Sequence, residues 1–410
     1  MLKSKLRAYA SLITRKGVNV QKNQGVIINT ELEQPEFIEI LVEECYKAGA
    51  GRVDVRWHHE PLTRAHVKYQ KENELSRVFD WEIQRYKAQS EDLPCVIWII
   101  SEDPDALNGI DQEKYAKAMQ ARSKIFKPIR DKMDDRYQWC IAAVPGVKWA
   151  KKIFPDCRKS VAVEKLWELI LKTARADINP IEQWNSHNSN LEKRCKYLNS
   201  LNIRYLHYKS SNGTDLKVGM IPDSHFCAGA GKTIGGVVYN ANIPSEECFI
   251  SPMKGVCEGT VYSTKPLAYQ GELIENFYFV FKDGKVSEYY AKKNEALLAK
   301  LLDMDENARY LGECALVPFE SPINQSGVLF YNTLFDENAC CHLALGRGFN
   351  ETIDNFEKLS FEECINKGVN DSIIHVDFMI GTDDLEITGI DAEGKKITIF
   401  KNGTWENKEG

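Results

Sequence analysis

The sequence lacks several patterns that mark specialised classes of protein. No apolar run is long enough to span a bilayer, and the net charge of −6 is the opposite of the basic excess that nucleic-acid binding requires. None of the 12 cysteines forms a Cys-x-x-Cys pair, which argues against a zinc ribbon or a thioredoxin-like motif. The opening residues have the spacing of an amphipathic helix rather than of a secretory leader. We therefore expect a cytoplasmic protein with reduced thiols, and neither a nucleic acid nor a membrane as partner.

What is present is the composition of a soluble globular chain, with 43% hydrophobic and 27% charged residues. At 410 residues the chain is too long for one ordinary core, so we expect two domains. In the first half, strand signals alternate with helix signals, which predicts β-α-β units and a mostly parallel sheet covered by helices. The predicted strands are Gly25–Asn29, Arg52–Trp57, Cys95–Ile100 and Trp139–Val144, and the helices are Glu36–Ala48, Gln112–Phe126 (ended by Pro128) and Val161–Ala176.

From about Tyr205 the pattern changes to short strands joined by tight turns. Asn212-Gly213 and Asp283-Gly284 each separate two apolar runs, and such dipeptides favour two-residue hairpins. We predict an α/β N-terminal domain over residues 1–195 and a β-rich α+β catalytic domain over residues 196–410, with the boundary near a helix at Ser189–Asn199.

Two apparent motifs do not support a function. Ala228–Thr233 resembles the end of a phosphate-binding loop, but Phe226 stands where that pattern needs a glycine. Cys340-Cys341-His342 invites a cysteine-nucleophile interpretation, yet catalytic cysteine and histidine partners meet across a fold rather than along the chain. We exclude nucleotide binding and leave the cysteines as packing residues.

The segment His375-Val376-Asp377 is the first of four candidate metal-binding stretches. If Ile373–Met379 is a strand, residues two apart point to the same face, so His375 and Asp377 lie side by side while Val376 and Phe378 pack on the other face. An imidazole beside a carboxylate is half of a site for a divalent metal. The alternative is a buried hydrogen bond that only holds the strand.

Two further acids lie next to apolar residues. Glu247 precedes Cys248-Phe249, and its alternative role is that of a solvated loop acid. Glu313 is the single charge in the apolar run Gly312–Val317, and charged residues are seldom buried unless they are paired or bind a metal. The alternative for Glu313 is an edge strand on which it faces water.

The last candidate stretch, Asp336–Gly346, has the features of a helix entered from a loop. Asn338 is a suitable cap, and Gly346 and Gly348 would end the helix. Glu337 and His342, five residues apart, would not share a helix face, so they can converge only if Glu337 lies in the loop before the first turn.

Together these stretches supply four carboxylates and two imidazoles, namely Glu247, Glu313, Glu337, Asp377, His342 and His375. This set suits two divalent ions that share a bridging carboxylate better than it suits one tetrahedral zinc. Separation along the chain does not by itself show that the six residues meet.

At these residues the sequence resembles the aminopeptidase T / aminopeptidase S family of thermophilic-type metallo-aminopeptidases, over nearly its whole length. The matching motifs, in the same order, are Asn242–Glu247, Leu311–Glu313, Cys341–Gly346 and His375–Gly381. The resemblance implies a homodimer that removes N-terminal residues from peptides and uses two ions of zinc, cobalt or magnesium per chain. It also implies that the six residues above are ligands, with Glu313 bridging.

One residue departs from the family pattern. Family members tend to have a tyrosine seven residues after the histidine corresponding to His342, and this chain has Phe349. A phenol there could donate a hydrogen bond to a developing oxyanion, which a phenyl ring cannot do; Arg347 and Tyr331 are nearby in sequence as substitutes. Two other functions remain open: a dinuclear amidohydrolase acting on a small non-peptide amide, and a non-catalytic relative.

Overall fold

A computed structural model describes residues 2–407. Its helices are α1 Lys3–Leu12, α2 Pro35–Ala48, α3 Glu60–Tyr69, α4 Glu72–Ser76, α5 Asp80–Asp92, α6 Gln112–Arg130, α7 Val147–Ile153, α8 Lys159–Thr173, α9 Pro180–Ser200, α10 Glu295–Leu302, α11 Pro322–Gln325, α12 Thr333–Asp336 and α13 Phe361–Lys367. Its strands are β1 Gly25–Glu31, β2 Arg52–His58, β3 Cys95–Ile100, β4 Trp139–Ala143, β5 Ile203–Lys209, β6 Asp215–Met220, β7 Cys227–Ala228, β8 Ala230–Lys232, β9 Val238–Asn240, β10 Cys248–Ile250, β11 Pro252–Tyr262, β12 Leu267–Tyr269, β13 Glu272–Lys282, β14 Lys285–Lys293, β15 Leu311–Leu316, β16 His342–Gly346, β17 His375–Met379, β18 Glu386–Asp391, β19 Lys396–Lys401 and β20 Thr404–Trp405.

The chain forms two compact units. The first comprises the residues up to Trp184 together with Ala230–Pro244, and the second comprises Asn185–Gly229 and the residues from Ser245 onward. The sequence predicted a single boundary after residue 195. That boundary would assign residues 185–195 of α9 to the first domain and the segment Ala230–Pro244 to the second.

The first unit contains a four-stranded parallel sheet in the order β2-β1-β3-β4. In β1, Val26, Ile27 and Ile28 are all buried, as expected for a strand with both sheet faces covered. Helix α2 connects β1 to β2 and is followed by Gly49, whose φ of +114° suits a residue without a side chain. The predicted α/β organisation of this half is confirmed.

Helix α6 corrects one predicted boundary. It continues through Pro128 to Arg130, although the sequence suggested an end before the proline. A proline in a helix removes one backbone hydrogen bond and crowds the preceding turn. Here it lies in the final turn, where Asp131 N–H still bonds to Lys127 O, so one missing bond does not stop the helix.

The second unit contains two antiparallel sheets. The larger has the order β12-β13-β11-β6-β5-β18-β19-β20, with β14 also paired to β13. The hairpin of β13 and β14 turns at Asp283 and Gly284, whose φ angles of +51° and +79° are those of the predicted two-residue turn. The smaller sheet has five strands in the order β17-β16-β15-β10-β7. The predicted β-rich character of this half is confirmed.

Strand β16 is the main correction to the predicted elements. His342–Gly346 was expected to form a helix, but it is a strand paired on one side with β15 and on the other with β17. All five of its residues are buried. A fully buried strand has no polar alternation, so its hydrophobic pattern does not distinguish it from a buried helix. Asn338 therefore caps no helix and lies in a 3₁₀ turn, Glu337–Ala339.

Within residues 2–407, none of the helices combines the length and the apolar character that crossing a bilayer requires.

Candidate metal centre

Three neighbouring strands of the five-stranded sheet place four of the candidate ligands on one face. Glu313 on β15 lies opposite Ala344 on β16, and Ala344 lies opposite Asp377 on β17. His342 and His375 are each two residues from a member of this row, on β16 and β17. Directly opposed residues in antiparallel strands point the same way, as do residues two apart on one strand. The sheet therefore directs Glu313, His342, His375 and Asp377 to a common face.

Small residues between the ligands leave this face open. Ala344 lies between Glu313 and Asp377 in this row, and its side chain is only a methyl group. Gly346 lies opposite His375 with a φ of +100°, and a Cβ atom there would come within 2.1 Å of Ile374 O. A side chain at Gly346 would therefore push β16 away from the strand that carries His375.

Glu247 approaches the same face from just ahead of β10. It is buried, and its Oε2 atom lies 3.3 Å from His342 Nε2. Phe249, two residues further along, pairs with Ala315, which in turn pairs with His342. The solvated alternative for Glu247 is excluded.

Glu313 is only 4% exposed and lies on an interior strand. Strand β15 has β16 on one side and β10 on the other, so the alternative of an edge strand facing water is wrong. The Oε2 atom of Glu313 is 3.2 Å from His375 Nε2.

The potential ligand atoms form two groups that share one residue. One oxygen or nitrogen each from Glu247, Glu313 and His342 lie within 4.8 Å of one another, and so do those of Glu313, His375 and Asp377. Glu313 is common to both groups. A carboxylate has two oxygens, so it can serve both sides at once.

Hydrogen bonds orient the two imidazoles. His375 Nδ1 donates to the carbonyl of Arg347 at 2.7 Å, and this leaves Nε2 facing Glu313 and Asp377. His342 Nδ1 faces the carbonyl of Cys340 at 3.4 Å, and its Nε2 faces Glu247. Metal-binding histidines are typically held in this way, with one ring nitrogen on a carbonyl and the other on the metal.

Glu337 lies beside these groups without belonging to either. Burial and the negative charges of Asp377 and Glu247 raise the pKa of its carboxyl well above the usual range. Asn338 Nδ2 donates to its Oε1 atom at 3.3 Å. The structure therefore brings all six predicted ligands into one neighbourhood, with Glu337 at its margin.

The crowded charges shift several pKa values. Burial, with Glu247 and Asp377 nearby, raises the pKa of Glu313 to about 7. Burial opposes protonation of His342, but its hydrogen bond to Glu247 wins and raises its pKa to about 10. Burial would raise the pKa of Asp377, but the charge of His375 lowers it to about 2. The protein groups alone thus hold protons that a cation would displace.

The donor set fits divalent metal ions. The Oδ1 atom of Asp377 is buried and lies 3.3 Å from His375 Nε2 but accepts no hydrogen bond of normal geometry from the described residues, which leaves an oxygen lone pair for a cation. All six donors are carboxylates and imidazoles, and neither ligand group includes a cysteine sulfur. Nitrogen and oxygen donors suit zinc, cobalt and similar divalent ions.

Comparison with known proteins gives the family. The profile of the thermophilic metalloprotease family (M29) matches residues 2–405. The chain belongs to the M29 thermophilic metalloprotease family. The resemblance inferred from the four motifs is confirmed.

Relatives within this family align from end to end. The chain is 39% identical to aminopeptidase AmpS of Bacillus subtilis over 404 residues, and 35% identical to aminopeptidase T of Thermus thermophilus over 405 residues; each alignment covers 98% of both chains. The solved structure of wild-type AmpT from Thermus thermophilus superposes with a TM-score of 0.91 at 33% identity, covering 99% of this chain and 100% of that one. The predicted fold class is thereby confirmed.

Phe349, the residue that departs from the family pattern, lies directly beside the candidate metal centre of this M29 chain. The Phe349 ring is 4.9 Å from the His375 ring and 5.4 Å from the Phe249 ring. Ser251 Oγ accepts a hydrogen bond from Phe349 N at 2.7 Å and fixes its backbone. Of the substitutes suggested by sequence, Arg347 places its guanidinium over Phe361, 5.2 Å from the ring centre, and serves His375 through its carbonyl.

Two contributions in this M29 centre were not apparent from sequence. Ala344 and Gly346 make room between the ligands, and the only signal for them is the alternation of large and small residues in Leu343–Gly346. The other is Asn338, which contacts Glu337 and also accepts a hydrogen bond from Glu246 N–H at 2.7 Å. No local pattern indicates that second contact, because the partners are 92 residues apart.

Proposed function

We propose that this chain is an aminopeptidase that hydrolyses the N-terminal residue from peptides at a centre of two divalent metal ions. The observation that carries the proposal is the pair of ligand groups sharing Glu313 on one sheet face. It is supported by alignment over 98% of the chain with proteins named aminopeptidases.

Each candidate ligand has a place in this proposal. Glu247 and His342 would hold one ion and His375 and Asp377 the other, with Glu313 common to both groups, and Glu337 would supply a further oxygen. When bound, such ions lower the pKa of a water to near neutrality and polarise the carbonyl of the scissile bond.

Charge supports two ions rather than one. Four ionised carboxylates carry four negative charges, which two divalent cations balance while both imidazoles stay neutral. With a single dication, neutrality would require protons to stay on two of these buried groups, as on Glu313 and His342 in the metal-free protein, because uncompensated charges are costly in a protein interior.

The surrounding residues hold the centre in shape. The Arg347 carbonyl keeps His375 Nε2 directed at Glu313 and Asp377. The Phe349 ring lies beside His375 and the Phe249 ring packs against Phe349, so aromatic rings line that side of the centre.

Further parts of the proposal concern metal, assembly and location. The nitrogen and oxygen donors suit zinc, cobalt or magnesium. We propose a cytoplasmic homodimer that acts on peptides with a free N-terminus. The net charge of −6 supports the absence of a nucleic-acid partner, and we propose no membrane partner.

The decisive experiment compares free and blocked N-termini. Purified protein is stripped with a chelator, reloaded with zinc, cobalt or magnesium, and assayed on aminoacyl chromogenic substrates and on matched N-acetylated peptides. We expect activity only after reloading, and only on substrates with a free α-amine. Equal turnover of the acetylated peptides would indicate an amidohydrolase instead, and absence of both metal binding and turnover would refute the enzyme proposal.

A further inference from the structure

Asn338 is fully buried between two segments that carry predicted ligands. Its side-chain Oδ1 accepts the N–H of Glu246 at 2.7 Å, and its Nδ2 donates to Glu337 Oε1 at 3.3 Å and to Leu334 O at 3.0 Å. One amide group therefore contacts both the backbone next to Glu247 and the carboxylate of Glu337.

The backbone ahead of β10 is held by this contact at Glu246 and by a hydrogen bond between His187 Nε2 and Ser245 O at 2.7 Å. The ladder pairs of β10 begin at Cys248, opposite Leu316 on one side and Ala228 on the other. Glu247 therefore lies just outside the sheet, and the hydrogen bond at Glu246 N–H ties the chain at the residue before it. Movement of this backbone would carry the Glu247 carboxylate away from His342.

The turn that carries Asn338 is itself anchored. Ser321 Oγ donates to Asn338 O at 2.6 Å, and Ser321 is also buried. Asn338 thus joins a fixed turn to the segment Ser245–Glu247. A fixed turn can hold a neighbouring backbone in place, whereas a mobile one could not.

Only an amide supplies this combination of bonds without charge. An aspartate at the same position could still accept from Glu246 N–H, but it would lose both donors and add a negative charge beside Glu337. An alanine would leave the Glu246 N–H and the Leu334 carbonyl without these partners in a buried region.

We propose that Asn338 is a positioning residue that holds Glu247 and Glu337 in place for the ion bound by Glu247, Glu313 and His342. This inference rests on the two-ion centre of the proposed function. It assigns the residue an effect on one half of the centre, because among the described residues the Asn338 side chain bonds to Glu246 N–H, Leu334 O and Glu337 and makes no hydrogen bond to His375 or Asp377.

The test measures metal binding rather than turnover. Wild-type protein and the Asn338→Asp variant are stripped, titrated with Co²⁺ in a calorimeter, and analysed for ions per chain after dialysis. We expect wild type to bind two ions, and Asn338→Asp to keep one with wild-type affinity while the other weakens about 10- to 100-fold, the usual effect of losing a supporting contact.

Asn199→Asp is the matched control. Asn199 also accepts and donates through its amide, with Phe226 N at 2.7 Å and Phe226 O at 3.1 Å. The substitution makes the same chemical change and contacts none of the six predicted ligands. We expect this variant to bind two ions with wild-type affinity.

A second variant identifies the affected half. Asp377→Asn alone should retain the ion of the Glu247 group, and its combination with Asn338→Asp should weaken that remaining ion by the same factor as in the single variant. If Asn338→Asp does not fold, Asn338→Ser, whose hydroxyl cannot span both contacts, takes its place.

The outcomes separate the two proposals. Suppose that wild type binds two ions and the Asn338 variant binds both with unchanged affinities, or with both affinities reduced equally. Either result would overturn the positioning role while the metal centre stands. Failure of wild type itself to bind metal would overturn the proposed function and the positioning role with it.

Discussion

Glu313 is the residue on which both ligand groups depend. Its carboxylate belongs to both groups and is buried, so protein groups or a cation must compensate its charge. Burial raises its pKa to about 7, so without a cation this carboxyl holds a proton in about half of the molecules at pH 7. A bound dication would replace that proton, and the residue would work as an anion.

We expect Glu313→Gln to lower activity by at least about 100-fold, because it removes a charge shared by both ions. Glu246→Gln is the matched control, since Glu246 is also a buried acid and precedes Glu247 but belongs to neither ligand group. We expect that variant to retain activity within about threefold. Steady-state kinetics and metal content of the two variants, measured side by side, decide the matter; equal losses would contradict the assignment.

At the scale of elements, β16 supplies the space between the carboxylates. Ala344→Val should lower metal content because its two added methyl groups would lie between Glu313 and Asp377. Valine suits a strand, so we expect the sheet to form at a cost of about 1–3 kcal/mol in the free energy of unfolding from overpacking.

Ala291→Val is the control for this change. Ala291 is buried in β14 of the other sheet, opposite Phe277. Chemical denaturation should show a comparable loss of stability in both variants, whereas metal analysis should show a loss only in Ala344→Val. Full metal content in both would mean that the space at Ala344 has no role.

The elements also show which features could be predicted from sequence. The alternation in His375–Asp377 is local, so strand geometry alone placed both side chains on one face, and the structure agrees. The segment His342–Gly346 has no such alternation and carries residues suited to helix ends, which led to the wrong element. Its strand conformation depends on pairing with β15 and β17, and those partners are set by the tertiary fold.

At the scale of the whole molecule, fold class was predictable because it rests on repeated local signals. Each β-α-β unit and each hairpin dipeptide indicates its own connection, and together they separate a parallel half from an antiparallel one. The return of Ala230–Pro244 to the first unit was not predictable. It depends on contacts distant in sequence, such as Ile141 N–H with Ala241 O at 2.7 Å and Ile243 N–H with Ile141 O at 3.0 Å.

The charges of the centre predict how stability depends on pH and metal. In chelator-treated protein, the pKa of Glu313 is raised to about 7 and that of His342 to about 10, so the folded state holds protons that the unfolded state has released. Stability from these groups is present below the unfolded pKa values and is lost as pH rises through the folded ones. The pKa of Asp377 is lowered to about 2, so its contribution to stability is instead lost as pH falls, and only below about pH 4.

We therefore expect the metal-free protein to lose on the order of a few kcal/mol of unfolding free energy between pH 5 and 9. Metal-loaded protein should lose much less, because cations replace the protons, and at 100 times the dissociation constant each ion should add about 2.7 kcal/mol. Urea denaturation across this pH range, with chelator and with Co²⁺ or Zn²⁺, measures both effects.

Glu313→Gln should reduce the slope of unfolding free energy against pH for the metal-free protein between pH 5 and 7, because a neutral amide has no proton to release. A metal-free protein whose stability rises over that interval would show that the six residues do not form a buried, proton-holding cluster.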